Sequence, residues 1–282
     1  MDLQEFHKVR KSLLMSWKVC PRQAWYSVRD SEYGTYNEFN IQNKALLLGQ
    51  IFHKEMDKFY KSISIDKMVE IYNDLKLVDK QSIIQEYLFM KFSPTTHETC
   101  LEYFHWYAKI EAERFIILMN EKHTGITQRF IPLYIEKYVE IHDEENGIIR
   151  NGHFDRMDLI GEKKLRLVEY KTGRSYDVTK SYKLTKLRLE LYYYKRIIEQ
   201  LDEFKGYEVV EWMLINPTLQ TIFASKFSIL TEKTLEKAIP MLVSDINSKE
   251  PPARNLNFYC ENCKYKQECL IEPTENIFDM DV

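Results

Sequence analysis

The chain has 282 residues, of which 44% are hydrophobic and 29% charged, and it contains only 8 Gly and 8 Pro. This composition is typical of a globular protein and excludes collagen-like and low-complexity disordered classes. Forty Lys and Arg balance 43 Asp and Glu, which argues against a uniformly basic nucleic-acid coat but permits a local basic groove. The sequence has no long apolar run and no secretory signal, so we expect a cytoplasmic protein without a membrane partner.

The first part of the chain is predicted to be helical. Apolar side chains recur there at three- and four-residue spacing, as at Phe104, Ala108 and Ala112. The predicted helices are Glu5–Ser16, Lys44–Ser62, Asp66–Lys91 and His97–Glu121.

From Thr127 onward, alternation and β-branched residues indicate strands. Thr231 is predicted to cap a last helix that reaches Ser248, before two prolines. The fold class is α/β or α+β, with a helical N-terminal half, a mixed sheet flanked by helices, and a three-strand meander at its centre. The predicted elements are strands at Arg129–His142, Gly147–Leu159, Lys164–Lys171, Glu208–Asn216 and Thr221–Ser228, and a helix at Val178–Leu201.

Two neighbouring strands of the meander carry an acidic pattern. If a five-residue loop joins them, Leu159 pairs with Leu165, and the same register places Asp155 opposite Glu169. Lys171 follows on the same strand face as Glu169. Opposed carboxylates repel, and a Mg²⁺ or Mn²⁺ ion would relieve the repulsion. From these residues alone, a solvated hairpin face with surface ion pairs is the alternative.

Asp155…Glu169-Tyr170-Lys171 resembles the active-site motif of the PD-(D/E)XK nuclease superfamily, and the surrounding GHFDRMD and VEYKTG resemble its RecB-type family. That family places a histidine ligand in an upstream G-x-x-x-H pattern, matched here by Gly49 and His53, which would otherwise be an ordinary helix histidine. The resemblance implies a restriction-endonuclease-like core. It implies a metal site at His53, Asp155, Glu169 and the Tyr170 backbone carbonyl, and catalysis by Asp155, Glu169 and Lys171.

The helix after these strands carries the family's Gln-x-x-x-Tyr position, where this chain keeps Tyr192 but has Arg188 in place of Gln. Its many basic residues predict a DNA-binding surface, with a solvated helix face as the alternative. For the run Tyr192–Tyr194 the alternatives are base stacking and core packing. Asp158 is expected to be structural, paired with Arg156 or with a neighbouring residue. The predicted DNA-binding residues are Lys183, Lys186, Arg188 and Tyr192.

Five cysteines in a chain without an export signal favour metal or cluster ligation over disulfides. Cys260, Cys263 and Cys269 form a C-x2-C-x5-C array, and Cys20 lies near the other end of the chain. Cys100 is expected to be a buried thiol. Zinc is an alternative, although zinc sites usually draw ligands from two local pairs.

The arrangement of one cysteine near the N-terminus and three near the C-terminus resembles the iron–sulfur module of RecB-like nucleases, which holds a 4Fe–4S cluster. Within these nucleases, it is most similar to the module of the CRISPR-associated exonucleases. The resemblance implies a cluster on Cys20, Cys260, Cys263 and Cys269. We expect a single domain, 1–282, with three parts. These parts are an iron–sulfur module of 1–30 and 250–282, a helical region of 44–125 and a nuclease core of 127–248.

The function implied by the resemblance is a Mg²⁺- or Mn²⁺-dependent deoxyribonuclease that trims single-stranded or frayed DNA ends. Its pathway would be CRISPR spacer acquisition in antiviral defence, beside the CRISPR integrase. The chain has no P-loop motif, so any unwinding would need a helicase partner.

Two alternatives are a stand-alone repair or viral nuclease and a non-catalytic DNA-binding scaffold. Against the scaffold stands the joint presence of His53, Asp155, Glu169 and Lys171.

Overall fold

The computed structural model describes residues 7–29, 44–74, 78–93, 98–122, 125–174, 176 and 181–271. These residues separate into two compact units. The larger unit holds the described residues of 42–139 and 152–231, and the smaller unit holds those of 1–41, 140–151 and 232–282. None of the helices in the described ranges is long and apolar enough to cross a membrane.

Helices dominate the first part of the chain, as predicted. They are α1 (Lys11–Val19), α2 (Pro21–Val28), α3 (Lys44–Lys61), α4 (Ile65–Asn73), α5 (Lys80–Phe89), α6 (Glu98–Asn120) and α7 (Ile126–Phe130). Later in the chain follow α8 (Ser181–Ile198), α9 (Ile229–Asn247) and α10 (Lys266–Ile271), with short 3-10 helices at Asp202–Phe204 and Phe258–Asn262.

The strands are β1 (His7–Arg10), β2 (Tyr134–Asp143), β3 (Ile148–Gly161), β4 (Lys164–Tyr170), β5 (Glu208–Asn216) and β6 (Thr221–Lys226). β2 pairs with β3. β3 and β4 are antiparallel, β4 and β5 parallel, and β5 and β6 antiparallel. The parallel step requires a crossover, which α8 provides while it contacts both β4 and β5. The fold is α+β, a mixed sheet flanked by helices, which confirms the predicted class.

Aromatic packing holds the helices of the larger unit against one face of β4 and β5. The ring of Phe92 stacks on Phe59 and on Phe104, each at 4.4 Å between centroids. Val168 and Tyr170 of β4 are buried in the same cluster. Because burial of such a side chain contributes about 1.5–3 kcal/mol, this cluster fixes α3 and α6 beside β4.

The β3–β4 hairpin has the predicted register but a shorter turn. Leu159 pairs with Leu165 and Arg156 with Val168, and continuing this register places Asp155 opposite Glu169. The predicted five-residue loop is wrong, because β3 continues to Gly161, leaving a two-residue turn. A register shift between Leu159 and Gly161 absorbs the extra residue as a bulge.

The smaller unit ties the two ends of the described chain together. β1 runs parallel to the first residues of β3, with Val9 buried. The indole of Trp17 donates to Asp245 Oδ2 at 2.6 Å, and that of Trp25 donates to the Ser248 carbonyl at 2.8 Å. These bonds anchor α1 and α2 beside the end of α9.

Two of the predicted helices are longer than the helices in the structure. Glu5–Ser16 was expected to be one helix, but β1 occupies its described first part because pairing with β3 overrides local helix propensity. Asp66–Lys91 forms two helices, since Ser64 and Asp79 each cap a new N-terminus by accepting a backbone N–H bond.

Two other boundaries also differ. The strand predicted at Arg129–His142 begins only at Tyr134, because α7 precedes it, led by Gly125 at a left-handed φ of 74°. Thr231 is not the cap of the last helix. Ser228 takes that place, since its hydroxyl accepts the Leu230 N–H at 3.3 Å.

Gly152 of β3 lies too close to α8 for a side chain. A Cβ there would lie 2.9 Å from Cε1 of Tyr194, whose ring is buried. We expect Gly152→Ala to lower the free energy of unfolding by about 1–3 kcal/mol, because the buried ring must shift. Urea denaturation measures this. Gly161→Ala is the control, since its Cβ would meet only the exposed Lys164 side chain at 3.2 Å; equal losses would contradict the packing argument.

Candidate active site

Side chains from four elements of the larger unit meet around one imidazole. His53 of α3 has Nδ1 2.7 Å from Oε1 of Glu136 on β2 and 3.7 Å from Oδ1 of Asp155 on β3. Donor atoms of these three residues all lie within 4.8 Å of one another, a grouping that could hold a metal ion. Glu169 of β4 adds a further negative charge that acts on His53.

The hairpin fixes the two carboxylates of the motif. Asp155 and Glu169 are buried. The backbone N–H of Tyr170 donates to Asp155 Oδ2 at 2.7 Å, so the strand that carries Glu169 also orients Asp155. The predicted hairpin register is confirmed up to the pair of Arg156 and Val168, next to these two residues.

Gly49 explains how α3 can bring His53 to the sheet. A Cβ on Gly49 would lie 3.1 Å from Oγ1 of Thr172, in the segment that follows β4. The helix backbone therefore comes close to that segment. One turn later, the His53 ring meets Tyr170 edge-on, with centroids 5.9 Å apart.

The surroundings of His53 favour its charged form. Burial lowers the imidazole pKa, but the hydrogen bond to Glu136 and the charges of Asp155, Glu136 and Glu169 outweigh burial, so the pKa is raised. The group is therefore an electronegative pocket in which a cation is stabilised.

Lys171 lies between two carboxylates. Its Nζ donates to Glu169 Oε1 at 2.5 Å and lies 3.4 Å from Oε2 of Glu190 on α8. Glu190 is buried and was not identified from the sequence as a site residue. Its place two residues before Tyr192, the retained motif tyrosine, was the available signal.

Glu136 is the other residue that the sequence did not identify. It lies in β2, outside every motif, and strand alternation gave no sign of its position. Its φ of 48° is left-handed, which is uncommon for a residue other than Gly, Asn or Asp and is found at functional sites.

Behind the site lies a buried ionic network centred on Arg156. Its guanidinium donates to both oxygens of Asp158, at 2.6 and 2.9 Å, to Glu111 at 3.1 Å, and to the hydroxyls of Tyr60 and Tyr107. Arg156 and Asp158 are thus paired as predicted. Tyr107 also hydrogen-bonds the Tyr170 hydroxyl at 2.8 Å, which links the network to the motif strand.

The predicted DNA-binding residues of α8 have different surroundings. Lys186 is exposed and Arg188 half-buried, whereas the side chain of Lys183 lies outside the described part of the chain. The Tyr192 ring is buried and packs edge-on against Phe227 at 5.4 Å. Tyr192 is therefore a packing residue, which corrects the prediction that it contacts DNA; Lys186 and Arg188 stay predictions.

Four cysteines line one cavity in the smaller unit. Cys20 lies between α1 and α2, and the other three come from the C-terminal segment. The cavity volume is about 70 Å³, several times the roughly 10–15 Å³ that one water occupies. Aromatic rings of Tyr26 and Tyr265 stack beside it at 5.3 Å. The cavity is lined by Cys20, Cys260, Cys263 and Cys269, together with Tyr26 and Tyr265.

The thiols interact without forming a closed coordination sphere. Burial raises the pKa of Cys263, and the nearby Cys20, Cys260 and Cys269 raise it further. The Asn257 N–H donates to Cys260 Sγ at 3.4 Å. Among the described residues, however, three potential metal ligands within 4.8 Å of one another are found only at His53, Glu136 and Asp155.

Cys100 lies apart, in the larger unit. It is fully buried in the aromatic core, and burial raises its pKa. The prediction of a buried thiol is confirmed.

The family model of the PD-(D/E)XK nuclease superfamily matches residues 14–270. No curated protein matches the sequence. The crystal structure of SSO0001 is similar, with 15% identity and a TM-score of 0.47, over 96% of this chain and 89% of that chain. A structure named as an exonuclease candidate from Eubacterium rectale has 11% identity and a TM-score of 0.43, over 94% and 88%. Because the family model covers most of its length, the chain belongs to the PD-(D/E)XK nuclease superfamily.

Proposed function

We propose that the protein is a divalent-metal-dependent DNA exonuclease whose active site is the group of His53, Asp155, Glu169 and Lys171. The observation that carries this proposal is the meeting of an imidazole and a carboxylate within 3.7 Å, beside a lysine held 2.5 Å from the second motif carboxylate. Members of the superfamily use divalent metals, and this donor set has the hard oxygen and imidazole ligands that suit Mg²⁺ or Mn²⁺.

Each side chain has a distinct task in this proposal. His53, Asp155 and Glu169 would hold the ion, with the Tyr170 carbonyl as a further ligand. When bound, the ion would lower the pKa of a water molecule and neutralise charge on the phosphate. Lys171 would place its ammonium beside the attacked phosphodiester, where it stabilises the negative charge that develops as water attacks.

The cysteine-lined cavity is proposed to hold a 4Fe–4S cluster. Its support is the convergence of four thiols from two distant segments of the chain. The donor set fits: thiolate is the ligand of such clusters, and a backbone N–H already points at one sulfur. A single tetrahedral zinc ion is the alternative, because thiolate is a zinc ligand as well.

The substrate and pathway follow from the family resemblance. We propose that Lys186 and Arg188 contact the DNA backbone and that the protein trims single-stranded or frayed ends. The order of the motifs is the order found in CRISPR-associated exonucleases, which supports a cytoplasmic role in spacer acquisition beside the CRISPR integrase. With a helicase partner, the same chemistry would serve DNA repair.

End-labelled linear and circular single-stranded DNA of equal sequence test the proposed activity. With Mn²⁺, we expect the linear DNA to be shortened to small products while the circle, which has no ends, stays intact; EDTA should stop the reaction. Cleavage of the circle at the same rate would contradict exonuclease action. No cleavage of either DNA would contradict the nuclease and favour the non-catalytic scaffold.

Cys20→Ser tests the cluster. We expect anaerobically purified wild-type protein to be brown and to contain about four irons per chain, and Cys20→Ser to lose most of the iron and to melt at a lower temperature. Cys100→Ser is the matched control and should keep its iron, because Cys100 is absent from the cavity lining. Equal iron content in the two variants would contradict the assignment. One zinc per wild-type chain would show that the four thiols bind zinc instead of a cluster.

A further inference from the structure

We propose that Glu136 is a direct ligand of the same metal ion, in addition to the residues of the family motif. This inference rests on the proposed function, since it concerns the ion that the nuclease would use. Glu136 lies on β2, outside the β3–β4 hairpin and the G-x-x-x-H helix.

The distances around His53 favour direct ligation by Glu136. Glu136 Oε1 is 2.7 Å and Asp155 Oδ1 is 3.7 Å from the same nitrogen, His53 Nδ1. Ligands about 2.1 Å from an octahedral ion lie about 3 Å apart when adjacent and about 4.2 Å apart when opposite. The three donor atoms all lie within 4.8 Å of one another, so small side-chain movements would place all of them around one ion.

The charge and the backbone conformation of Glu136 also favour direct ligation. Together with Asp155 and Glu169, Glu136 brings three carboxylates to one half-buried imidazole. Carboxylates that approach so closely repel one another, and a divalent cation relieves this repulsion. Glu136 also has a left-handed backbone, with φ of 48°, a conformation costing about 1–3 kcal/mol that persists only where the surroundings hold it in place.

An orienting role is the rival interpretation. A histidine that binds metal through one ring nitrogen usually donates its other N–H to a carboxylate or carbonyl. Glu136 could accept such a bond from His53 without touching the ion. A glutamine at position 136 could still accept this bond through its carbonyl oxygen, but it would be a poorer ligand because it has no charge. The conservative substitution therefore separates the two roles.

The experiment is a Mn²⁺ titration of the full-length protein, followed by calorimetry and by the EPR signal of free Mn²⁺. We expect Glu136→Gln to weaken Mn²⁺ binding by more than about 100-fold, because loss of an orienting partner alone costs about 10- to 100-fold. Glu144→Gln is the matched control: it removes one carboxylate from the exposed turn after β2 and should bind Mn²⁺ like the wild type. Wild-type affinity in Glu136→Gln would overturn direct ligation and assign Glu136 the orienting role.

Asp155→Asn in the same titration separates this inference from the proposed function. If Asp155→Asn loses Mn²⁺ while Glu136→Gln keeps it, the metal site stands and only the role of Glu136 is overturned. If the wild type and Asp155→Asn bind Mn²⁺ equally, the metal site itself is wrong, and the assignment of Glu136 is overturned with it.

Discussion

Asp155→Asn is expected to reduce DNA cleavage by about 1,000-fold or more while leaving the fold intact. The substitution removes a charged ligand and keeps the shape of the side chain. The new amide oxygen can still accept the Tyr170 N–H that Asp155 Oδ2 now accepts at 2.7 Å. Loss of one charge-stabilising group in a preorganised site costs about 100- to 1,000-fold, and weaker metal binding adds to this loss.

The stability of this variant is informative as well. Asp155 shares its surroundings with the carboxylates of Glu136 and Glu169, so removing one charge relieves repulsion in the metal-free protein. We expect the melting temperature of Asp155→Asn to equal or exceed that of the wild type. Asp57→Asn, at a half-buried position on α3 paired with Lys61, is the control and should cleave normally. Full activity in Asp155→Asn would contradict the site.

Arg156→Met is expected to lower the free energy of unfolding by about 3–5 kcal/mol, the cost of removing one partner from a buried ion pair. The substitution leaves Asp158 and Glu111 buried without the guanidinium that now bonds both. Urea denaturation measures the loss. A second variant, Arg156→Met with Asp158→Asn, should recover part of it, because one uncompensated charge is then absent.

Arg166→Met is the matched control for this prediction. Arg166 pairs with Glu211 across β4 and β5 at 2.7 Å, but the two side chains are 21% and 24% exposed, so we expect a cost of only about 0–1 kcal/mol. Equal losses for the two arginines would show that burial of the network does not matter.

The same network predicts a loss of stability in acid. Burial raises the pKa of Glu111 and of Asp158, but Arg114 and Arg156 outweigh burial, so both folded-state pKa values lie below their usual range. The unfolded chain therefore binds more protons. The stabilisation is complete above the unfolded-state pKa and is lost as pH falls through the lower folded-state values.

Much of the candidate site could be predicted because its main residues lie close together in the sequence. Asp155 and Glu169 lie on two strands of one hairpin, and alternation with the pairing of Leu159 and Leu165 determines which side chains oppose each other. The burial of Cys100 and the mixed sheet followed in the same way from apolar pattern and strand order. The division of the chain into an iron–sulfur module, helical region and nuclease core stays a prediction.

The features of the site and the fold that were not predicted depend on contacts between distant segments of the chain. Glu136 reaches His53 across 83 positions of sequence and belongs to no motif, so no local pattern could reveal it. Pairing with β3 likewise converted a helix-like segment into β1, and the burial of Tyr192 depends on Phe227 of a later segment. Such tertiary contacts override local propensity.

The proposed activity requires that one divalent ion binds among His53, Asp155 and Glu169. Anomalous diffraction at the manganese edge, from crystals soaked in MnCl₂, tests it most directly. We expect a peak about 2.1–2.3 Å from the Asp155 and Glu169 carboxylates and the His53 imidazole, and no peak there in crystals of Asp155→Asn. A wild-type map with no peak among these side chains, or with the same peak in Asp155→Asn, would contradict the account.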